Sequence, residues 1–346
     1  MGALAQVIAS CLSDYDPNAL PVEGAKSVIR GFLTPVTNCE RVPVRSALGR
    51  VLGEDLLSTI NVPAHNNSAM DGYAVRASDL RADGPTQLKR IGEAFAGRAF
   101  AGTIGAGECV RVMTGAVMPP GADTVVVQEV TREADGMVII PPGQKAGENM
   151  RFAGEDLALG KLALAAGKLI RPAELGLIAS LGIGEVAVKH RLRVAFFSTG
   201  DELASIGQPL AEGQVYDSNR YTLHGMLTRL GCKVIDMGVV RDDPASLEHA
   251  LLEAAANADA VITSGGVSVG EADFIRGLLA RLGDVVFWKI AMRPGRPMAF
   301  GRIGHGANAA RFFGLPGNPV AVMVTFYAFV RAALLTLAGR TDAFAL

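Results

Sequence analysis

Cysteine is scarce in this chain of 346 residues. There are four, Cys11, Cys39, Cys109 and Cys232, far apart and with no CxxC pair. That excludes a disulfide framework and a thiolate zinc site of the usual spacing, and reads as reduced thiols in a cytoplasmic protein. Histidine is as sparse, five residues with no HExxH, which removes the usual zinc-protease pair. Net charge is nearly absent too: 33 Lys and Arg stand against 34 Asp and Glu. The chain has no electrostatic footprint for nucleic acid or an anionic membrane. Its N-terminus, MGALAQVIASCLSDYD, lacks a basic segment and meets acids early, so it does not read as a signal peptide. No internal repeat or low-complexity segment is present. One long apolar run, VAVMVTFYAFVRAALLTLAG (320–339), follows PGNP and is interrupted by Arg331. It is expected to be a core or interface helix rather than a membrane span.

What remains is an apolar globular chain, 49% hydrophobic and 19% charged, long enough for two or three domains. Residues 20–55 read as two amphipathic helices joined by a short extended link, with Gly49 and Gly53 punctuating the second. Short β-like runs then follow: GYAVRA, ECVRVMTG, TVVVQEV and MVIIP. Residues 170–190 return to a helix and a short strand. From 191 onward strands and helices alternate, which means a mostly parallel sheet covered on both faces. The expected fold is a multidomain α/β protein. A helical linker domain comprises 1–56 and 158–188, an inserted β-rich domain 57–157, and a mostly parallel three-layer α/β domain 189–346.

Ligands of open parallel sheets bind beyond the carboxyl ends of the strands, so the residues that follow each strand are the candidates. RVAFFS is followed by TGDE, with Asp201 and Glu202; KVIDMGVV by RDD, with Asp242 and Asp243. DAVIT is followed by SGGVSVGEAD, which carries Ser264, Gly265, Gly266, Ser268, Gly270, Glu271 and Asp273. DVVFWKIA leads into MRPGRP, with Arg293, Pro294, Arg296 and Pro297, and RFFG leads into LPGNP. The glycines of the third loop let backbone approach a ligand, and its N–H groups and hydroxyls suit an anionic oxygen. Its acids would repel a phosphate unless a hard cation such as Mg²⁺ lay between them. The same acids read equally as helix caps, and RDDP alone reads more readily as a capped helix start. MRPGRP is either a stiff oxyanion-binding loop or a solvated turn. In the β region, Asp71 of HNNSAMDGYAVRASDL and Thr114 of VMTGAVMPPGADTVVVQEV fit turn formers as well as functional groups.

Taken in order, LPVEGA, ALGRVLGEDL, NNSAMDGYAVRASDL, RVMTGAVMPPGADTVVVQE, RFAGED, STGDEL, DMGVVRDDP, TSGGVSVGEADF, RPGRPMAFG and LPGNPVAVMVTF resemble the molybdopterin molybdenumtransferase family, the MoeA type. The E domains of gephyrin and of the plant enzyme are related to it. The resemblance runs from about residue 19 to 340. It implies a MogA-like molybdopterin-binding fold for the α/β domain, and the binding of adenylylated molybdopterin and molybdate. It also implies Mg²⁺-dependent insertion of molybdenum with release of AMP. By position, Glu202, Asp242 and Asp273 would hold Mg²⁺. Ser264, Gly265, Gly266 and Ser268 would cradle phosphate or pterin groups, and Arg293, Pro294, Arg296 and Pro297 would receive molybdate. Asp71, Thr114 and Asp156 match family positions in the inserted domain. The family also implies a cytoplasmic homodimer with a site shared between subunits, and a molybdopterin adenylyltransferase as a possible partner; no nucleic acid or membrane is implied. The sequence departs from the family in two ways. The cationic loop has arginines where the family usually has lysines, and the usual C-terminal β-barrel domain is absent from the sequence. That absence keeps a non-catalytic molybdopterin-binding or scaffold protein as the alternative. A third reading is another phosphoanhydride hydrolase built on the same α/β domain.

Overall fold

The computed structural model describes residues 19–266, 272–304, 306 and 309–343. The chain divides into two compact units: one of residues 55–165 and 177–183, the other of residues up to 54, 166–176 and 184 onward.

The first unit is built on a six-stranded sheet of β1 (Gly72–Val75), β2 (Thr86–Ala94), β3 (Glu108–Val112), β4 (Thr124–Val127), β5 (Arg132–Ala134) and β6 (Met137–Ile140), in the order β4-β1-β3-β2-β6-β5. Successive side chains of a strand point to opposite faces, and both faces here are buried. Ala74, Val110, Val112 and Val125 enter one apolar cluster; Tyr73, Val75, Cys109, Val126 and Val138 enter another. Gly72 is required by the closeness of β1 and β4: a Cβ there would sit 2.1 Å from the Val126 carbonyl oxygen. Burial pushes the Cys109 thiol up to about 12, so it stays protonated and inert.

The second unit contains β7 (Arg193–Thr199), α1 (Ser218–Arg229), β8 (Lys233–Val240), α2 (Pro244–Asn257), β9 (Ala260–Ser264), α3 (Ala272–Leu282), β10 (Gly283–Lys289), β11 (Pro297–Ile303), β12 (Ala310–Leu315), α4 (Pro319–Thr325) and α5 (Arg331–Leu337). The sheet order is β8-β7-β9-β12-β11-β10. β8, β7, β9 and β12 run parallel, and β11 runs antiparallel to both its neighbours. Alternate residues again part to opposite faces. Val194, Phe196, Ile262, Phe300 and Phe313 pack with Leu223 and Leu227 of α1 and with Val322, Phe326 and Phe329. Ala195, Phe197, Val261 and Phe312 pack with Leu247 and Leu251 of α2 and Leu278 and Leu279 of α3. Helix, sheet and helix make the three-layer α/β arrangement expected. The apolar run 320–339 is α4, a π-helical turn over Phe326–Val330, and α5. Its Val322, Phe326, Val330 and Leu334 lie in the core.

One expectation fails. Residues 20–55 hold a single α-helix, Val22–Gly31, not two. The second stretch forms the strand Cys39–Pro43, paired antiparallel with Glu185–Lys189, and a 3₁₀ turn over Val44–Ser46. Pro43 disfavours helix at the residue before it. The Val44 N–H is taken by the Gly184 carbonyl at 3.0 Å and that of Gly53 by Ala187 at 2.9 Å, and Gly49 adopts a φ of +72°. Strand partners supplied from distant sequence satisfy these backbone groups better than a lone turn of helix. β2 is likewise not announced by the sequence: in TQLKRIGEA the exposed Lys89 is followed by half-buried Arg90, paired with Glu133, and by Gly92, which break the apolar alternation.

Phe313 is fully buried, and its ring lies 5.3 Å from that of Phe300 in a tilted contact. Phe313→Ala should therefore destabilise this unit by about 3–5 kcal/mol. Urea unfolding followed through the fluorescence of Trp288, the chain's one tryptophan and a neighbour of Phe300, measures this. A midpoint within error of the parent would contradict it.

Candidate functional site

The carboxyl ends of β7, β8, β9, β10 and β12 share one rim of the second sheet. The acids after β8 take separate tasks. Asp243 caps α2, accepting from the Ser246 N–H at 3.0 Å. Asp242 turns to the end of β7 and accepts from Thr199 Oγ1 at 3.1 Å. The carboxylate of Glu202 folds back over Gly200, 2.5–2.9 Å from where a Cβ would stand. Both carboxylates thus lie against consecutive residues, Thr199 and Gly200, at the exit of β7. The two-acid loop therefore carries a cap and a second carboxylate that is not used as a cap.

Ser264 ends β9 and is buried. Its Oγ accepts from Asn219 Nδ2 at 2.9 Å, and the same amide nitrogen donates to the Gly317 carbonyl at 2.6 Å. Asn219 lies in the first turn of α1, whose cap is Asp217. It ties the loop after β9 to the LPGNP loop after β12. Asn318 in the latter caps α4 through the N–H groups of Val320 and Ala321. Gly265 and Gly266 have φ of +96° and +67°. A Cβ on Gly265 would stand 2.4 Å from the Thr199 carbonyl oxygen, so backbone passes over backbone there and only glycine fits. Three polar atoms at this end of the unit, Ser198 Oγ, Asp217 Oδ2 and Asn219 Oδ1, are buried without a partner among the described residues. Unpaired buried groups are costly, and a bound ligand or water would satisfy them. Asn219, Asp217 and Thr199 were not singled out from the sequence. The asparagine in SNRYTL was the available signal, masked by its resemblance to ordinary helix-start chemistry.

Arg293, Pro294, Arg296 and Pro297 form the turn between β10 and β11 on the same rim. The Ile290 N–H donates to the Arg296 carbonyl at 2.6 Å, closing the loop. Gly295, at φ +100°, seats it against Thr325 of α4. The Arg293 and Arg296 side chains are exposed. Ser268 and the side chain of Asp273 lie outside the described residues; α3 begins at Ala272. Among the described residues no group of three or more His, Cys, Asp or Glu is arranged to hold a metal.

The remaining candidates belong to the β unit. Asp71 accepts from both the N–H and the Oγ1 of Thr114, each at 2.7 Å. The Thr114 backbone N–H, then its hydroxyl, hold the Asp71 carboxyl below its ordinary range. Asp156 is apart from this pair in bonding. It pairs with Arg151 Nη2 at 2.5 Å, and Arg151 also engages Glu155.

Two predictions follow from these contacts. In a carboxylate NMR titration, Asp71 should titrate below about 3.9, the unperturbed value, and Thr114→Ala should move it up toward that value. The stability this pairing contributes is complete above the unfolded value and drains as pH falls through the lower folded one. An Asp71 midpoint at or above the unperturbed value would contradict the assignment. Gly265→Ala should cost roughly 1–3 kcal/mol through forced backbone displacement, read as a lowered urea midpoint; an unshifted midpoint would mean the loop accommodates a side chain.

Comparison with known proteins gives the same pattern a context. Residues 20–182 match the family described as MoeA N-terminal region (domain I and II), and residues 195–336 match the probable molybdopterin binding domain. The chain is 45% identical over 322 residues to the molybdopterin molybdenumtransferase of Haemophilus influenzae, covering 93% of this chain and 78% of that protein. It is 41% identical to the molybdopterin molybdenumtransferase of a Nostoc species, covering 87% and 70%. The crystal structure of the molybdopterin biosynthesis moeA protein of Pyrococcus horikoshii OT3 superposes with a TM-score of 0.81 at 29% identity, over 94% of this chain and 81% of that one. This chain belongs to the molybdopterin molybdenumtransferase family, enzymes of molybdenum cofactor biosynthesis.

Proposed function

We propose that this chain transfers molybdenum from molybdate to adenylylated molybdopterin, in a Mg²⁺-dependent step that releases AMP. The observation that carries the reading is the pair of carboxylates, Asp242 and Glu202, held at the exit of β7 beside the Ser264-Gly265-Gly266 loop. The donor chemistry fits the ion: Mg²⁺ takes one or two carboxylates and completes its shell with water and substrate phosphate. Glu202 and Asp242, with Asp273 in the same reading, are the residues that would hold it. When bound, it would neutralise charge on the phosphoanhydride oxygens.

The chain's own groups do the rest. Gly265 and Gly266, with no side chains, let the backbone meet a phosphate directly. Ser264, with Ser268 in the same reading, offers hydroxyls beside it. Arg293 and Arg296, set by Pro294 and Pro297, give fixed cationic donors for the molybdate oxyanion. The rim from β8 to β10 spans five inter-strand steps, on the order of 24 Å, which suits an extended two-headed substrate better than a compact one. Hydrolysis adds water to one phosphorus of the anhydride and breaks its bond to the bridging oxygen. AMP leaves, and molybdopterin keeps its own phosphate. Asp71, Thr114 and Asp156 belong to this reading as groups of a site shared between the copies of a homodimer in the cytoplasm. A molybdopterin adenylyltransferase is the enzyme class whose product the chain would consume.

Single-turnover AMP release from adenylylated molybdopterin tests it. Release should require both molybdate and Mg²⁺, and Asp242→Ala should slow it at least 100-fold, the scale of a lost electrostatic contributor. The Trp288 unfolding transition should be unchanged. AMP release that proceeds without molybdate and Mg²⁺, or an Asp242→Ala variant of full activity, would overturn the assignment.

A further inference from the structure

The opposite end of the second sheet carries a second concentration of charge. Arg193 and Lys233 begin β7 and β8 and face each other in register. Around them opens a cleft of about 510 Å³, lined also by Arg50, His190 and Arg191 and by the acids Glu40 and Asp259. Four permanent cations against two acids leave an excess of two positive charges, before His190 is counted.

The acids are spoken for. Asp259 makes a fork with Arg193, at 2.8 Å to Nη2, and accepts the Arg193 backbone N–H at 2.8 Å. Glu40 accepts from Arg50 Nη2, which also donates to the Lys189 carbonyl at 2.8 Å. Arg50 is 8% exposed, so this pair is a fixed wall rather than a mobile surface contact. Glu40 is held below its ordinary range first by the Arg50 hydrogen bond, and then also by the charges of Arg50, His190 and Arg191. The cations therefore converge on one space. Arg191 uses Nη1 on the Gly231 carbonyl at 3.0 Å, which leaves most of its five donors available. Lys233 is exposed and makes no side-chain hydrogen bond or ion pair among the described residues.

We propose that this cleft is a second ligand site, for a small polyanion of the pyrophosphate class. Its volume exceeds what a single phosphate fills, and its cations are spread around it, so two or more linked anionic groups match it better than one. Val36 is the one aliphatic side chain in the lining and the His190 imidazole is its one aromatic ring, so charge dominates the cleft over apolar contact. Arg191 and Lys233 would bind the anion, and Arg50 and Arg193, already paired, would set the field and shape. Nothing in this inference depends on the chemistry at the carboxyl-end rim.

The test is isothermal titration calorimetry with inorganic pyrophosphate, free of divalent cations, on the Arg293→Ala/Arg296→Ala chain, so that the rim arginines do not contribute. Saturable binding is expected, weakened at least tenfold by adding Arg191→Ala and Lys233→Ala, and weakened by salt. Lys233→Gln alone changes an exposed, unpaired side chain and should also weaken binding; Trp288 unfolding checks that each variant is folded. Binding that survives loss of both cations, or no saturable heat in the parent, would overturn the proposal. Tripolyphosphate and citrate separate the sources. Tighter binding of tripolyphosphate supports a polyphosphate ligand; citrate bound more tightly than pyrophosphate would overturn the phosphate class.

Discussion

Burial of one sheet on both faces is the constraint from which the second unit follows. Along β7 the side chains alternate between two apolar clusters, Val194 and Phe196 in one and Ala195 and Phe197 in the other. β9 does the same with Val261 and Ile262, and β12 with Phe312 and Phe313. No polar side chain can leave such strands sideways without the cost of an unpaired buried group. Chemistry is therefore confined to the strand ends. At the carboxyl end, sidedness ceases at Ser198, Thr199 and Ser264, where hydroxyls replace hydrocarbon. Thr199 holds Asp242, and Ser264 is held by Asn219. The candidate site lies where the strands run out of apolar residues.

Asn219 shows how such a rim is held. A single amide nitrogen spans Ser264, the last residue of β9, and Gly317, in the loop after the adjacent strand β12. One side chain thereby couples the glycine-rich loop to the loop that starts the last helix. Its own oxygen and Asp217 Oδ2 remain without partners among the described residues.

Much of the fold was legible because period and punctuation agreed. RVAFFSTG and DAVITSGG are continuous apolar runs that end in glycine, and each is a buried strand, while KVIDMGVV, interrupted by Asp236, is the half-buried edge strand β8. The reading failed where partners came from far along the chain. Cys39–Pro43 is a strand because Glu185–Lys189 lies against it, and nothing in residues 39–43 announces a neighbour some 145 positions away. The site was legible as residue types and not as contacts. Asp242 and Asp243 are indistinguishable in RDDP; only the fold sends one to Thr199 and the other to a helix N-terminus. Asp71 and Thr114 looked like separate turn formers, because the sheet that joins them, β1 beside β3, is a matter of pairing rather than of composition.

A parallel sheet also has two chemically unequal ends, and this chain uses the difference. Every parallel strand delivers its first residues to one end and its last to the other. Arg193 opens β7, Lys233 opens β8 and Arg311 stands near the opening of β12, while Asp201, Glu202, Asp242 and Asp243 follow the closings of β7 and β8. Strand register therefore sets these cations at one end of the sheet and these acids at the other. Cations also reach the carboxyl end: Arg241 after β8, Lys289 at the end of β10 and the arginines of the turn between β10 and β11. The arginines of that turn lie at the far edge of the sheet from Asp242, because β10 and β8 are its two edge strands.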